Sequence, residues 1–129
     1  MTPKERYTKN FTVEEMASKD GQDKDARMCP DFMEKLQALR EDFQAVMRVT
    51  SAIRSKEHNL AVGGSAVSKH LSRPCIAADI DTKNWPASKK YKFLKLAFEH
   101  GFTGIGVAKT FIHLDTRKKG RMSPSLWTY

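Results

Sequence analysis

Ser68-Lys69-His70-Leu71-Ser72-Arg73-Pro74-Cys75-Ile76-Ala77-Ala78-Asp79-Ile80-Asp81 is the stretch from which the rest of the chain can be read. Thr110-Phe111-Ile112-His113-Leu114-Asp115 answers it further on. From Ile76 to Asp81 the side chains alternate, with Ile76, Ala78 and Ile80 on one face and Ala77, Asp79 and Asp81 on the other, the period of a strand. In the second segment Phe111, His113 and Asp115 share a face, and Ile112 and Leu114 take the opposite one. If both strands lay their aliphatic faces on helices, the other face collects Asp79, Asp81, His113 and Asp115. That predicts an α+β fold: a small antiparallel sheet, helices packed on one face and an open polar groove on the other.

The helices are found by working outward. Phe11 to Met16 reads as a short helix start, with Thr12 and Glu15 as a capping box and Phe11 stapling to Met16. Pro30 opens a long helix, where its missing N–H costs nothing, and Phe32, Leu36, Leu39, Phe43, Val46 and Met47 give it one apolar face. Val49 to Ile53 is β-branched and reads as a strand, with Arg54 at its end. Ser55 caps a short helix running to Leu60 or Ala61, stopped by Gly63-Gly64. Ser88 caps a second long helix with Tyr91, Leu94, Ala97 and Phe98 inward, ended by Gly101, and Gly104 to Val107 follows as a further short segment. No repeat or low-complexity linker interrupts this order, so residues 1–129 are read as a single domain.

Size and composition agree. A chain of 129 residues buries about two-thirds of its unfolded surface. With 40% hydrophobic and 29% charged residues it suits a soluble globular protein. No apolar run approaches the roughly 20 residues of a membrane span. The polar start Met1 to Tyr7 lacks the apolar core of a secretory signal, so the chain is expected to stay in the cytoplasm where it is made. The two cysteines, Cys29 and Cys75, are expected as free thiols. The net charge of +8 favours polyanions: nucleic acid, anionic lipid or an anionic wall. Its lysines and arginines are spread out, and the densest run (Arg117, Lys118, Lys119, Arg121) is a loop with no interleaved aromatics. A specific nucleic-acid partner is not expected.

Three carboxylates on one sheet face repel one another unless a positive charge sits among them. A divalent cation supplies it, and two neutral imidazoles with one carboxylate favour zinc over calcium or magnesium. Three protein ligands would leave a fourth position open, the catalytic arrangement. Spacing alone equally fits solvent-facing strand residues with a capping histidine.

Several further motifs stand in order. Ser51-Ala52-Ile53-Arg54-Ser55, Asn59-Leu60-Ala61-Val62-Gly63-Gly64, Ser68-Lys69-His70-Leu71 and Ala77-Ala78-Asp79-Ile80 are followed by His100-Gly101-Phe102, Gly104-Ile105-Gly106-Val107 and Phe111-Ile112-His113-Leu114-Asp115. Together, over roughly Phe11 to Trp127, they resemble the zinc D-Ala-D-Ala carboxypeptidase family of peptidoglycan metallopeptidases, which includes phage endolysins and shares its fold with the hedgehog signalling domain. The resemblance implies one Zn2+ ion held by His70, Asp79 and His113. It implies that Arg54 binds a carboxylate or carbonyl of the peptidoglycan stem peptide and that Ser68, beside His70, orients it or the substrate. Arg117, nearest His113 in the basic run, is a further candidate for substrate binding.

The chain departs from that pattern twice. His70 and Asp79 stand two positions further apart than is usual in the family, so Arg73-Pro74 reads as a lengthened loop and Asp81 is the fallback ligand. The family's usual acid three residues before the last histidine is here Thr110. Asp115 takes its place as expected general base, with Asp81 second, because the attacking water must lose a proton. His100 is expected to cap a helix end, His58 to lie in solvent, Cys75 to be a small core residue and Cys29 to be inert; Trp127 is expected to cover the core or, near the groove mouth, to serve the substrate as well. The resulting expectation is hydrolysis of a stem-peptide amide, as a carboxypeptidase or endopeptidase, by a monomeric phage lysis enzyme. Such an enzyme waits in the host cytoplasm and acts on the wall in the periplasm. The rival is a non-catalytic wall-binding or virion module of the same fold.

Overall fold

The computed structural model describes residues 4–120 and 123–129; Met1 to Pro3, and Arg121 of the basic run, lie outside the described residues. A two-stranded ribbon, β1 (Arg6–Thr8) and β2 (Phe11–Thr12), leads into α1 (Val13–Met16). Thr12 caps α1 as its spacing predicts: the Thr12 hydroxyl accepts from the Glu15 N–H at 3.1 Å. The long helix α2 (Pro30–Phe43) carries Pro30 in its first turn and buries Phe32, Met33, Leu36, Leu39 and Phe43.

Helix α2 is shorter than its apolar pattern predicts. Gln44 adopts a left-handed φ of 57° and donates its N–H to Arg40, closing the helix there. Val46 consequently lies 74% exposed, while Met47 enters the core by another route. Strand β3 (Val49–Ser51) follows, then α3 (Lys56–Ala61), capped by the Ser55 hydroxyl on the His58 N–H at 2.9 Å. A single 3-10 turn, Lys69–Leu71, precedes β4 (Ala77–Asp81).

Helix α4 (Ala87–Glu99) starts after Pro86, so Ser88 lies inside it and not at its cap. Its inward face is rotated from the expected one. Ala97 is buried as expected and Leu94 packs half-buried against the core. Phe93 goes inward where Tyr91 and Phe98 were expected, so a Phe93/Ala97 stripe meets the core and a Tyr91/Phe98 stripe does not. Phe93 fits edge-on against Phe43 (5.2 Å between ring centroids) and Trp85 (5.4 Å). Tyr91 is left 73% exposed and Phe98 54%.

Strands β5 (Gly104–Val107), β6 (Phe111–Asp115) and β7 (Ser125–Thr128) complete a five-stranded sheet of order β3-β4-β6-β5-β7. Its pairings are antiparallel except the last, where β7 runs parallel to β5. The α+β fold with a small antiparallel sheet thus holds, with β7 as a strand that local sequence did not announce. Ala78, Ile80, Ile105, Ile112 and Leu114 join α2 and α4 in one core, and the opposite face carries Asp79, His113 and Asp115 together with Phe111. No described helix is long and apolar enough to cross a membrane.

Candidate metal centre

The antiparallel register of β4 and β6 sets Asp79 directly opposite His113. Opposed residues bring their side chains together on one face, so the sheet ladder delivers two of the expected ligands. The third, His70, arrives on the 3-10 turn, which Ser68 caps by accepting the His70 N–H at 3.2 Å. The His70 carbonyl accepts from the Arg54 N–H at 3.1 Å, tying that turn to the end of β3.

Each imidazole is oriented by a bond at its far nitrogen. His70 Nδ1 lies 2.6 Å from the Ala52 carbonyl. A carbonyl only accepts, so Nδ1 carries the hydrogen and Nε2 presents its lone pair. His113 is used the other way round: Nε2 faces Asp115 Oδ2 at 2.7 Å, and Nδ1 faces inward. The three inward atoms are His70 Nε2, His113 Nδ1 and Asp79 Oδ1. They are separated by 3.2 Å (the two nitrogens), 3.2 Å (His70 to Asp79) and 3.0 Å (His113 to Asp79). Bonds of about 2.0–2.1 Å to a tetrahedral zinc imply edges of about 3.3–3.4 Å between its ligand atoms. The triangle is therefore close to one face of such a tetrahedron, and the donor set of two imidazoles and a carboxylate fits a borderline-soft divalent ion.

The electrostatics agree. Burial alone would raise the Asp79 carboxyl, but hydrogen bonds with His113 and His70 outweigh it and hold it well below the usual carboxylate range. Burial likewise pushes His113 down, and its pairing with Asp115 and Asp79 more than compensates, leaving it above the ordinary histidine value. A positive charge belongs at the centre of this cluster, be it a proton or a metal ion.

Around the triangle, the arginines do something other than expected. Arg54 donates from Nη2 to Asp79 Oδ2 (3.1 Å), from Nη1 to Asn59 Oδ1 (3.3 Å) and from Nε to the Ser51 hydroxyl (3.1 Å). It grips the outer oxygen of Asp79 and leaves the inner one to the cluster. Arg117 forms a fork on Asp115, Nε to Oδ1 at 2.9 Å and Nη2 to Oδ2 at 2.7 Å, with its guanidinium 4.8 Å above the Trp127 ring.

Both expected bases are misplaced for that work. Asp115 is 0% exposed, and its oxygens are occupied by His113, by the Arg117 side chain and by the Arg117 N–H. It stands behind His113, steering the ring, and not before the open position. Asp81 shares the groove face but sits two residues along β4, about 7 Å at strand rise. There it accepts from the Lys83 N–H at 2.9 Å and pairs with Arg48 at 3.5 Å. Asp81 is accordingly not among the clustered donors either. Thr110 is exposed in the β5–β6 turn.

The cluster opens onto a cavity of about 660 Å3, whose wall includes Arg54, Ser68, Lys69, His70, His113 and Arg117. Val62, Val67, Phe111, Trp127 and Tyr129 form its apolar side. No aspartate or glutamate lines it among the described residues. Trp127 takes the second of its two expected places, on the cavity wall, with its ring 5.3 Å from that of His113.

Asn59, Lys69 and Tyr129 were missed by sequence reasoning, as were the glycines of β5. A side chain at Gly104 would collide with the Asp115 carboxylate and, at 2.5 Å, with Arg117 Nε; one at Gly106 would come within 2.5 Å of Trp127 Nε1. The alternation Gly-Ile-Gly in a strand was the available signal, since glycine there marks a close approach. The remaining candidates are structural. His100 ends α4 and bonds Asp42 at 2.6 Å. His58 is half-buried and does not line the cavity. Cys75 is buried, which pushes its thiol up to about 11, and Cys29 precedes α2. Neither cysteine is disulfide-bonded.

The sheet, the opposed Asp79–His113 pair and His70 on its 3-10 turn together form a site able to hold a metal ion. The model of the Peptidase M15 family matches residues 6–115, and the chain belongs to that family. A comparison with curated proteins finds no match.

Proposed function

We propose that the chain hydrolyses an amide bond in the peptide stem of bacterial peptidoglycan, using one zinc ion held by His70, Asp79 and His113. The observation that carries this reading is the triangle of donor atoms, 3.0–3.2 Å on a side, opening onto a cavity of about 660 Å3. When bound, zinc supplies Lewis-acid polarisation of the scissile carbonyl and lowers the pKa of water.

The protein's own residues do the rest. Ala52 and Asp115 fix the tautomers of His70 and His113, and Arg54 occupies the outer oxygen of Asp79, leaving it one free oxygen. Phe111, Trp127 and Val67 exclude water from one side of the substrate. Tyr129, whose phenol is pushed up mainly by burial, stays protonated and is available to donate to the carbonyl oxygen as negative charge grows there. The net charge of +8 suits approach to an anionic wall, and the setting we assign is phage lysis, with the enzyme reaching the periplasm from the host cytoplasm.

Purified, zinc-supplemented protein should release new amino and carboxyl termini from wall fragments. His113→Ala should lose both the stoichiometric metal and the activity; retained metal would overturn the ligand assignment. A second reading, a wall-binding module without turnover, is favoured by two observations: among the described residues no aspartate or glutamate lines the cavity, and Thr110 stands at the family's usual base position. Wall binding with no new termini at any zinc concentration would select it.

A further inference from the structure

Among the described residues the cavity wall carries three permanent cations, Arg54, Lys69 and Arg117. Two are committed inside the protein. Arg54 spends all its nitrogens on Asp79, Asn59 and Ser51, and Arg117 is forked on Asp115. The charge of each is thereby already offset by a buried acid beside the metal site, and drawing either towards a substrate carboxylate would weaken that pairing. Lys69 is different. It is half-buried in the 3-10 turn next to His70, and among the described residues its ammonium has neither a carboxylate within ion-pair distance nor a hydrogen-bond acceptor. Among the described residues no aspartate or glutamate lines the wall.

An uncommitted ammonium, beside one apolar wall and an acid-free lining, calls for an anionic group on the ligand. We infer that Lys69 is the specificity-determining residue of this site and that it binds a free carboxylate of the substrate peptide. This rests on the stem-peptide reading above. A stem peptide offers that chemistry at its C-terminus and on its acidic side chains. Lysine, a flexible point charge, takes either without the planar geometry an arginine fork requires.

The test uses zinc-loaded and metal-free protein with three synthetic stem peptides: the free acid, the C-terminal amide and the side-chain amide. Lys69→Gln should weaken binding of the free acid by about 10- to 100-fold in both protein forms, the range of a charge-assisted hydrogen bond. The loss should fall on KM and leave kcat little changed. Lys69→Arg should restore most of it. Whichever amide binds wild type as weakly as Lys69→Gln binds the free acid identifies the carboxylate. Lys95→Gln, exposed on α4, controls for bulk charge, and unchanged zinc content controls for folding. Equal affinity of wild type and Lys69→Gln for the free acid, with wild type cleaving it, overturns this inference alone. Failure of wild type to bind or cleave any of the peptides overturns the stem-peptide reading and takes this inference with it.

Discussion

Asp115→Asn separates a carboxylate that steers a ligand from one that accepts the substrate water's proton. In the structure Asp115 Oδ2 receives His113 Nε2 at 2.7 Å and Arg117 Nη2 at 2.7 Å, and Oδ1 receives Arg117 Nε at 2.9 Å. An asparagine keeps the size but replaces one acceptor by an NH2 group. That group must then face a donor, either the His113 N–H or the Arg117 fork. At least one charge-assisted bond is lost, worth about 1.5–3 kcal/mol. Removing such a partner from a metal-binding histidine typically costs 10- to 100-fold in metal affinity, about 1.4–2.7 kcal/mol. The two routes agree, so the zinc Kd should rise by that factor. Competition against a chromogenic chelator at fixed pH measures it, and a thermal melt guards against global unfolding. A proton-accepting Asp115 predicts the opposite pattern, in which affinity is kept and turnover alone disappears. A variant Kd within twofold of wild type would refute the steering role.

Other perturbations test the fold and its charges. Phe93→Ala, emptying the space between Phe43 and Trp85, should cost about 3–5 kcal/mol in denaturant titrations, whereas Tyr91→Ala should stay within about 0.5 kcal/mol; the reverse order would mean the other stripe faces the core. Gly106→Ala should lower stability by about 1–3 kcal/mol, because the new methyl lies 2.5 Å from Trp127 Nε1, and an unchanged melting temperature would contradict that close approach. Asp20 is held down to about 2 by the Ser55 hydroxyl and, after a smaller opposing effect of burial, by the Ser18 hydroxyl and the Gln22 N–H. Its folded pKa lies below its unfolded value, so its contribution is complete above about pH 4 and vanishes as pH falls towards 2. Asp20→Asn should therefore narrow its stability deficit relative to wild type over that interval, and a constant deficit would rule this out.

Much of the site was legible because strand alternation is a strong constraint. Once Ile80 and Ile112 are placed in the core, Asp79 and His113 have to share the other face, and antiparallel pairing can oppose them. The same alternation could not distinguish the front of His113 from its back. Asp115 is on the correct face, but the side-chain torsions that turn it behind the ring depend on Arg117 and on the bare backbone of Gly104 beside it. Nor could periodicity choose between the two stripes of α4, which differ only in how they fit an aromatic cluster assembled from α2 and Trp85. The end of α2 depended on a single left-handed residue, Gln44, that carries no strong signal for that conformation. Strand β7 is four residues pairing with a segment roughly twenty positions earlier, a contact that local pattern cannot reveal.

The glycine at 106 has an optical consequence. Because β5 contributes no side chain there, the indole of Trp127 reaches past it to the ring of His113, 5.3 Å away. The chain's other tryptophan, Trp85, is occupied in the aromatic cluster of the helix layer, with Lys89 4.4 Å above its ring. With Trp85 replaced by phenylalanine, the molecule would carry one fluorophore, seated against a metal-binding imidazole. A quenching ion such as copper or cobalt arriving at His70, Asp79 and His113 would then darken the protein's own emission, and the filling of the centre could be followed in real time without a dye or a substrate.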